Sequence, residues 1–529
     1  MRNLQYPGRS PVMAADAMVA TSQPMATATA LQILRDGGNA LDAAIAASAV
    51  LGVVESHSTG IGGDCFMLYH QAAGNQLWAL NGSGRSPASA TLEVMHQRGH
   101  AQMPEQDILA VTVPGAIDAW FTANHKFGNL PMQDLLQPAI HYAEQGYVVS
   151  PVIANTWRQH EKRLSQTVEA SKAYLIHGKA PAAGSLHHQP NLAKSLRLIA
   201  GQGRDAFYQG EITEAIIRFS DSRHGLLSFD DFAAHQSEWV SPISSEYRGY
   251  RVCEIPPNSQ GITVLMALNI LNQTEVSHYS HLSADHIHLL SQAFTLSMAE
   301  RDRFIADPAF AEIPIKALLS DKFAQNQFNR IDMKHAMAQP AQSALANHKD
   351  TVYLCVVDKD RNICSLINSV FHAWGSGLVA GNTGINLQNR GAGFSLQAGH
   401  FNQLEPNKRP MHTLIPAIVY ENHNPVLGFG VMGGQYQAMG QISVLSNWID
   451  YGMDVQQALD AARFFPNTGQ LSLETLICSK TRQQLAARGH QILNSEEPHG
   501  GGQMIYIDWK KGVLHGGSDS RKDGMAAGF

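Results

Sequence analysis

The sequence predicts a layered α/β protein, and three observations carry that prediction. Alanine-rich helical segments run into two strand patterns near the start of the chain. A second set of strand and helix patterns occupies the C-terminal part, and no internal repeat or low-complexity run breaks the order. In chain order, PMATATALQILRDGGNALDAAIAASAVLG (24–52) reads as two helices, with Gly37-Gly38-Asn39 as C-cap and restart signal. The glycine loop STGIGGDC (58–65) leads to the strand candidates CFMLYHQ and QLWALNG. Residues 111–230 read as mostly helical with loops, and VPGAIDAW opens a helix with Pro114 near its first turn. YRVCEIPPNSQGITVLMALNIL (250–271) is a strand, a loop and a helix, and 282–305 is a long helix. Residues 351–357 and 363–370 alternate as the two arms of a hairpin around the polar turn 358–362. A glycine-rich loop at 428–435, a helix near 436–450 and a tail with short strands complete the chain.

Composition narrows the function classes. With 529 residues, 44% of them hydrophobic and 16% charged, the chain can bury a large core and lies outside the disordered range. A net charge of −6, with no basic run interleaved with aromatics, argues against nucleic acid as a partner. There is no uncharged apolar stretch of about 18 residues to predict a membrane span, and the first residues lack the apolar centre of a signal peptide. Cys65, Cys253, Cys355, Cys364 and Cys478 are odd in number, scattered and without CxxC spacing, which reads as reduced thiols. The expectation is a soluble cytoplasmic protein with no nucleic-acid or membrane partner.

Several motifs are set aside. GIGGDC and VMGGQ match neither dinucleotide nor phosphate-loop spacing. HYSHLSADHIHLL carries His278, His281, His286 and His288, which read as solvated side chains rather than a metal site, and no cofactor is implied. No GxSxG nucleophile elbow occurs. Cys355 and Cys364 are expected to face the core or each other across the hairpin, with nothing to make either reactive.

One junction stands out. The polar, aperiodic run from Gln339 to Asp350 delivers Thr351 straight into a strand. A strand-initial threonine is ordinary. If the bond between Asp350 and Thr351 were cut, however, Thr351 would carry a free α-amine beside its hydroxyl. Such an amine, with a pKa of about 7.7–8.0 when unperturbed, can serve as the base that a weak hydroxyl nucleophile needs.

The motifs LRDGGNALDAAIAA, ESHSTGIGGDCFMLY, VPGAIDAW, DTVYLCVVDKDRN, GSGLVAGNTGINLQN, NKRPMHTLIPAIV and GVMGGQYQ resemble, in order and over nearly the whole chain, the γ-glutamyltranspeptidase family of N-terminal-nucleophile hydrolases. That resemblance implies an α+β fold, a four-layer αββα sandwich. It also implies self-cleavage between Asp350 and Thr351 into a large subunit (1–350) and a small one (351–529) that share one interleaved domain. By the same match Thr351 is the nucleophile, Ser369 the hydroxyl that supports it, and Gly433 and Gly434 the backbone donors for the oxyanion. From the residues alone, that glycine pair reads equally as a tight turn.

The acyl-binding positions depart from the family. Ser83 stands where the family has the arginine for the substrate's α-carboxylate, and Arg85 follows two residues later. Phe371 replaces an asparagine, Gly393 the aspartate that holds the α-ammonium, Arg390 a glutamine, and His412-Thr413 a serine pair. A substrate ammonium without a carboxylate partner, and beside a new cation, is disfavoured. The departures therefore favour a γ-glutamyl-like acyl group that keeps a carboxylate but lacks the amine, such as glutaryl. Two alternatives stay open: Arg85 reaches in to replace the missing arginine, or Arg390 pairs with a protein carboxylate. The expected activity is that of a self-processing amidase or acyltransferase passing the acyl group to water or an amino acid. The contrasting reading is an unprocessed relative that only binds small molecules. The sequence leaves a homo-oligomer open.

Overall fold

The computed structural model describes residues 8–337, 351–467 and 469–529. Asp350 and the polar run before it lie outside the described residues.

Two seven-stranded sheets form the centre, and every pairing in both is antiparallel. Sheet I runs Met525–Gly528, Met18–Thr21, Val352–Val357, Ile363–Ser369, Asp64–Gln71, Gln76–Gly82, Glu238–Val240. Sheet II runs Val12–Ala14, Val513–Ser518, Gly501–Asp508, Asn424–Met432, Ala417–Glu421, Tyr250–Glu254, Ile243–Tyr247. Period-two alternation sorts each strand between two cores. In Val352–Val357 the side chains of Tyr353, Cys355 and Val357 enter the layer between the sheets, where Ile418, Met432 and Ile505 meet them. Val352, Leu354 and Val356 face the opposite way, into a core built with the first helices. A third core, on the far side of Sheet II, joins Val419, Phe429 and Val431 to the helices Gly261–Leu271, Ala284–Phe304 and Tyr436–Ile449. The result is the expected αββα sandwich.

Local signals place these elements. Helix Ala40–Val54 opens on a capping box in which the Asn39 side chain accepts from the Leu41 and Asp42 N–H groups while the Asp42 carboxylate accepts from the Asn39 N–H. Every residue of that helix is buried, and its alanines allow the tight fit. The glycine break, the long helix and both hairpin arms fall where the sequence places them. VPGAIDAW likewise opens helix Ala116–Phe127, with Gly115 as the cap and Pro114 just ahead of the first turn, its carbonyl accepting from the Tyr208 hydroxyl.

Cys355 and Cys364 face the core, as expected, one on each side of Sheet I: Cys355 lies opposite Ser365 and Cys364 opposite Val356, so the two thiols do not meet. An expectation about the histidines is corrected. His286 and His288 are buried rather than solvated: His288 Nδ1 lies 2.8 Å from His490 Nε2, and its Nε2 is 3.0 Å from the Asp332 carbonyl. The five cysteines are free. Among the described residues no helix is long and apolar enough to cross a membrane, and no cluster of three or more ligating side chains suits a metal.

The sheets approach closely where Asn424–Met432 passes the hairpin. A Cβ on Gly430 would stand 2.5 Å from the Tyr353 ring, and one on Gly428 would stand 2.5 Å from Cys355 Sγ. Only a residue without a side chain fits there. Gly430→Val is expected to destabilise the fold by about 1–3 kcal/mol through overpacking, and adding Tyr353→Ala is expected to recover part of the loss. Thermal melts of the single and double variants check this, and an unchanged midpoint in the single variant would refute the close approach.

Candidate active site

Thr351 directly precedes Val352–Val357, an interior strand of Sheet I beside the central one, and is buried. Because Val352 pairs with Asn368, the next residue on each arm brings Thr351 beside Ser369, and the two hydroxyl oxygens lie 3.4 Å apart. Ser369 Oγ also accepts from the Phe371 N–H at 2.8 Å. A long contact comes from the other side: Gln437 Nε2 lies 3.5 Å from Thr351 Oγ1. Gln437 belongs to the first turn of helix Tyr436–Ile449, and its own N–H donates to the Gly434 carbonyl at 3.2 Å. The loop before that helix is Gly433-Gly434-Gln435, with φ of +123° at Gly433 and +58° at Gly434. Sheet I thus presents a hydroxyl to a helix N-terminus, where unpaired N–H groups and the helix dipole favour negative charge.

Arg390 opens the short 3-10 turn Arg390–Gly393 and is fully buried. Its Nη1 donates to Thr413 Oγ1 at 3.1 Å, its Nη2 lies 3.4 Å from Ser369 Oγ, and its guanidinium carbon sits 4.1 Å from the centre of the Phe371 ring. Nε has no partner among the described residues. Burial pulls its pKa down to about 9, against the opposing field of Asp64, so it remains a cation at neutral pH. Among the described residues Arg390 forms no ion pair.

Asp64 anchors the floor. Its carboxylate accepts from the N–H groups of Gly84 at 3.0 Å and Gly115 at 3.1 Å, from Gln388 Nε2 at 2.9 Å and from His412 Nε2 at 3.1 Å. Burial raises its pKa, but His412, Arg390 and Gln388 outweigh that and hold it below the usual carboxylate range. His412 Nδ1 accepts from the Leu414 N–H at 3.3 Å, so its proton lies on Nε2 and the ring is neutral. Burial, reinforced by Arg390, pushes its pKa down to about 3.

The structure therefore brings Thr351, Ser369, Phe371, Arg390 and Thr413 together, with Gly433 and Gly434 joined to them through Gln437. His412 lies beneath this group with both ring nitrogens occupied, so it offers no free nitrogen to a ligand. Ser83 is buried, and its hydroxyl receives the Asn258 side-chain amide at 3.2 Å. Arg85 does not reach in as the missing cation: it pairs with Glu238 at 2.8 Å, and Arg409 takes the other oxygen of that carboxylate at 3.0 Å. Sequence reasoning passed over Asp64, Gln437 and Gln260. Gln260 donates to the Thr413 and Gly434 carbonyls at 3.0 and 3.3 Å. The visible signals were polar residues ending glycine motifs, GGDC and GGQYQ.

Two cavities adjoin the group. One, of about 490 Å³, reaches Ala392 and Gly393; the other, of about 820 Å³, reaches His372 and Gly500, and Glu105 lines both. Gly500 flanks the glycine loop, its Cα 3.1 Å from where a Cβ on Gly433 would stand. A hydroxyl, a helix N-terminus and a buried cation in this arrangement suit attack on a carbonyl whose acyl group carries a negative charge.

The family model described as gamma-glutamyltranspeptidase matches residues 26–529, and the chain belongs to that family. A glutathione hydrolase-like YwrD proenzyme of Bacillus subtilis is 39% identical over 97% of this chain and 98% of its own length. A glutathione hydrolase proenzyme of Escherichia coli is 32% identical over 98% of this chain and 93% of its own. Among solved structures, a cephalosporin acylase from Bacillus halodurans superimposes with a TM-score of 0.93 at 39% identity, covering 100% of this chain and 99% of that one.

The buried neutral imidazole makes the site acid-sensitive. An unfolded histidine takes up its proton near pH 6.5, whereas folded His412 resists down to about 3. Between those values the unfolded chain holds the extra proton, so stability falls as pH falls, by up to about 1.4 kcal/mol per pH unit. Asp64, with its pKa depressed, adds a further loss only once pH drops below about 4. His412→Gln keeps a donor for Asp64 and removes the titration. Urea unfolding at pH 7 and pH 5 is expected to show a stability difference smaller by roughly 1–2 kcal/mol in the variant; an equal difference in both proteins would refute it.

Proposed function

We propose that this member of the γ-glutamyltranspeptidase family is a self-processing amidase whose nucleophile is Thr351 Oγ. The observation that carries the reading is the position of Thr351: first residue before an interior strand, its hydroxyl between Ser369 and Gln437. In maturation Oγ attacks the Asp350 carbonyl carbon, the peptide passes through an ester, and water releases residues 1–350 from 351–529. The new α-amine then accepts the Oγ proton as Oγ attacks a substrate amide. The N–H groups of the Gly433-Gly434 loop, backed by the dipole of helix Tyr436–Ile449, stabilise the oxyanion. The proton passes to the departing amine, leaving an acyl-threonine. Water releases the acid, or an amino acid takes the acyl group. Ser369 orients the nucleophile. Arg390, braced by Thr413 and Phe371, receives an acyl carboxylate. The free cysteines support a reducing, cytoplasmic setting.

The acyl group best suited to these residues is a glutaryl-like one. Arg390 supplies a cation, while position 393 is a glycine inside a turn without a carboxylate. A charge-assisted contact is worth about 1.5–3 kcal/mol, roughly one to two decades in affinity.

Three measurements test this reading. On a denaturing gel the wild type is expected to separate into two chains, the smaller beginning at Thr351, while Thr351→Ala stays whole; an intact wild type at neutral pH would refute self-processing. Gly433→Val forces a β-branched residue to a φ of +123° and against Gly500. It is expected to lower kcat by about 10²–10³ with the fold retained, and near-normal turnover would move the oxyanion site elsewhere. Among anilides, glutaryl is expected to match or exceed γ-glutamyl in kcat/KM, and Gly393→Asp to shift preference towards γ-glutamyl. A wild-type preference for γ-glutamyl of more than about tenfold would refute the acyl assignment.

A further inference from the structure

The cavity of about 490 Å³ beside Gly393 is far larger than a glutaryl chain requires. It falls within the size range of sites that house drug-sized ligands, about 300–1,000 Å³. Its link to the reacting group runs through one turn: Arg390 begins that turn, and Ala392 and Gly393, two and three residues on, form part of the cavity wall. Ala392 also packs in one cluster with Phe371, the ring on which the Arg390 guanidinium rests. Arg390 itself does not line the cavity; the turn it opens and the packing of Ala392 with Phe371 connect the two.

The lining specifies what fits. Met103, Ile305, Phe394, Leu396 and Met411 give it an apolar wall. Its buried cation is already engaged: Arg301 pairs with Asp302 and donates to Gln260 and Gln435. Asn402 is spent on the Gly393 carbonyl and the Met411 N–H, and His400 Nδ1 on the Asn402 N–H. Among the described residues that line it, no unpaired cation is left to receive a second anion. Glu105 is the remaining carboxylate, and its side chain is 42% exposed, where water screens its pull on an ammonium. Gln102 makes no hydrogen bond among the described residues and offers an amide to an amide.

We infer that this cavity is a subsite for an uncharged, partly apolar substituent on the acyl chain, an acylated α-amine rather than a free one; the inference rests on the amidase reading above. The substrate class is then an N-acyl-γ-glutamyl amide, with its α-carboxylate on Arg390 and its N-acyl group against the apolar wall.

The test uses three anilides that differ only at the α-carbon chain: glutaryl, γ-glutamyl and N-benzoyl-γ-glutamyl. Wild-type kcat/KM is expected to be higher for the benzoyl compound than for γ-glutamyl by at least about tenfold. Leu396→Trp and Gln102→Trp, which fill the cavity from its buried and exposed sides, are expected to lower benzoyl turnover by about tenfold while glutaryl stays within about threefold. Glutaryl turnover reports the fold, so if Leu396→Trp fails to fold, Gln102→Trp decides. Preference for the free amine, or parallel loss of benzoyl and glutaryl turnover in a folded variant, overturns the inference. If the wild type cleaves none of the three, the amidase reading fails. The cavity is then judged by calorimetric binding of N-benzoylglutamate against glutamate, where tighter binding of the benzoyl compound, weakened in Gln102→Trp, upholds it and equal binding overturns it.

Discussion

A single buried carboxylate sets the conditions for the rest of this structure. Moving a charge such as Asp64 from water into the interior is costly unless it is fully hydrogen-bonded. Here it gathers four donors from four separate segments, at residues 84, 115, 388 and 412. Those segments cannot relax without leaving the charge short of a partner. The same charge sits opposite Ser369 in the strand ladder, and its field opposes the desolvation of Arg390. Among the described residues the cation beside the nucleophile has no direct ion pair, and its balancing charge lies on the neighbouring strand of the same sheet.

The glycines around that carboxylate act in its service. A Cβ on Gly84 would stand 1.6 Å from the Val113 carbonyl oxygen, and one on Gly115 would stand 2.1 Å from the Gly82 oxygen. Both residues give their N–H to Asp64, and both can do so only because backbone approaches backbone directly. The glycines of NGSGRSP and VPGAIDAW are here the packing that lets one acid be satisfied.

Legibility followed sequence distance. Helix restarts, capping signals and the hairpin were readable because their causes lie within a few residues, as in the Asn39 capping box. The side chains that went astray are those whose partners come from far along the chain. Arg85 finds Glu238 across 153 residues, His288 finds His490 across 202, and His412 finds Asp64 across 348. Periodicity carries no information about such pairings. The cluster of Thr351, Ser369 and Arg390 was foreseen through family resemblance, whereas its carboxylate floor and its glutamine bridges emerged only in three dimensions.

Strand order has one more consequence. Met18–Thr21 lies between Val352–Val357 and Met525–Gly528, and the Phe529 carbonyl accepts from the N–H groups of Asp16 and Ala17 at 2.8 and 3.1 Å. Residues near the two ends of the described chain are therefore neighbours, each held in the same sheet. A short linker could join them at little conformational cost. A circular permutant reopened at residue 351 would begin with the threonine, once its initiator methionine is removed. The free amine would then come from the order of the gene rather than from a chemical scission, and maturation could be separated from catalysis.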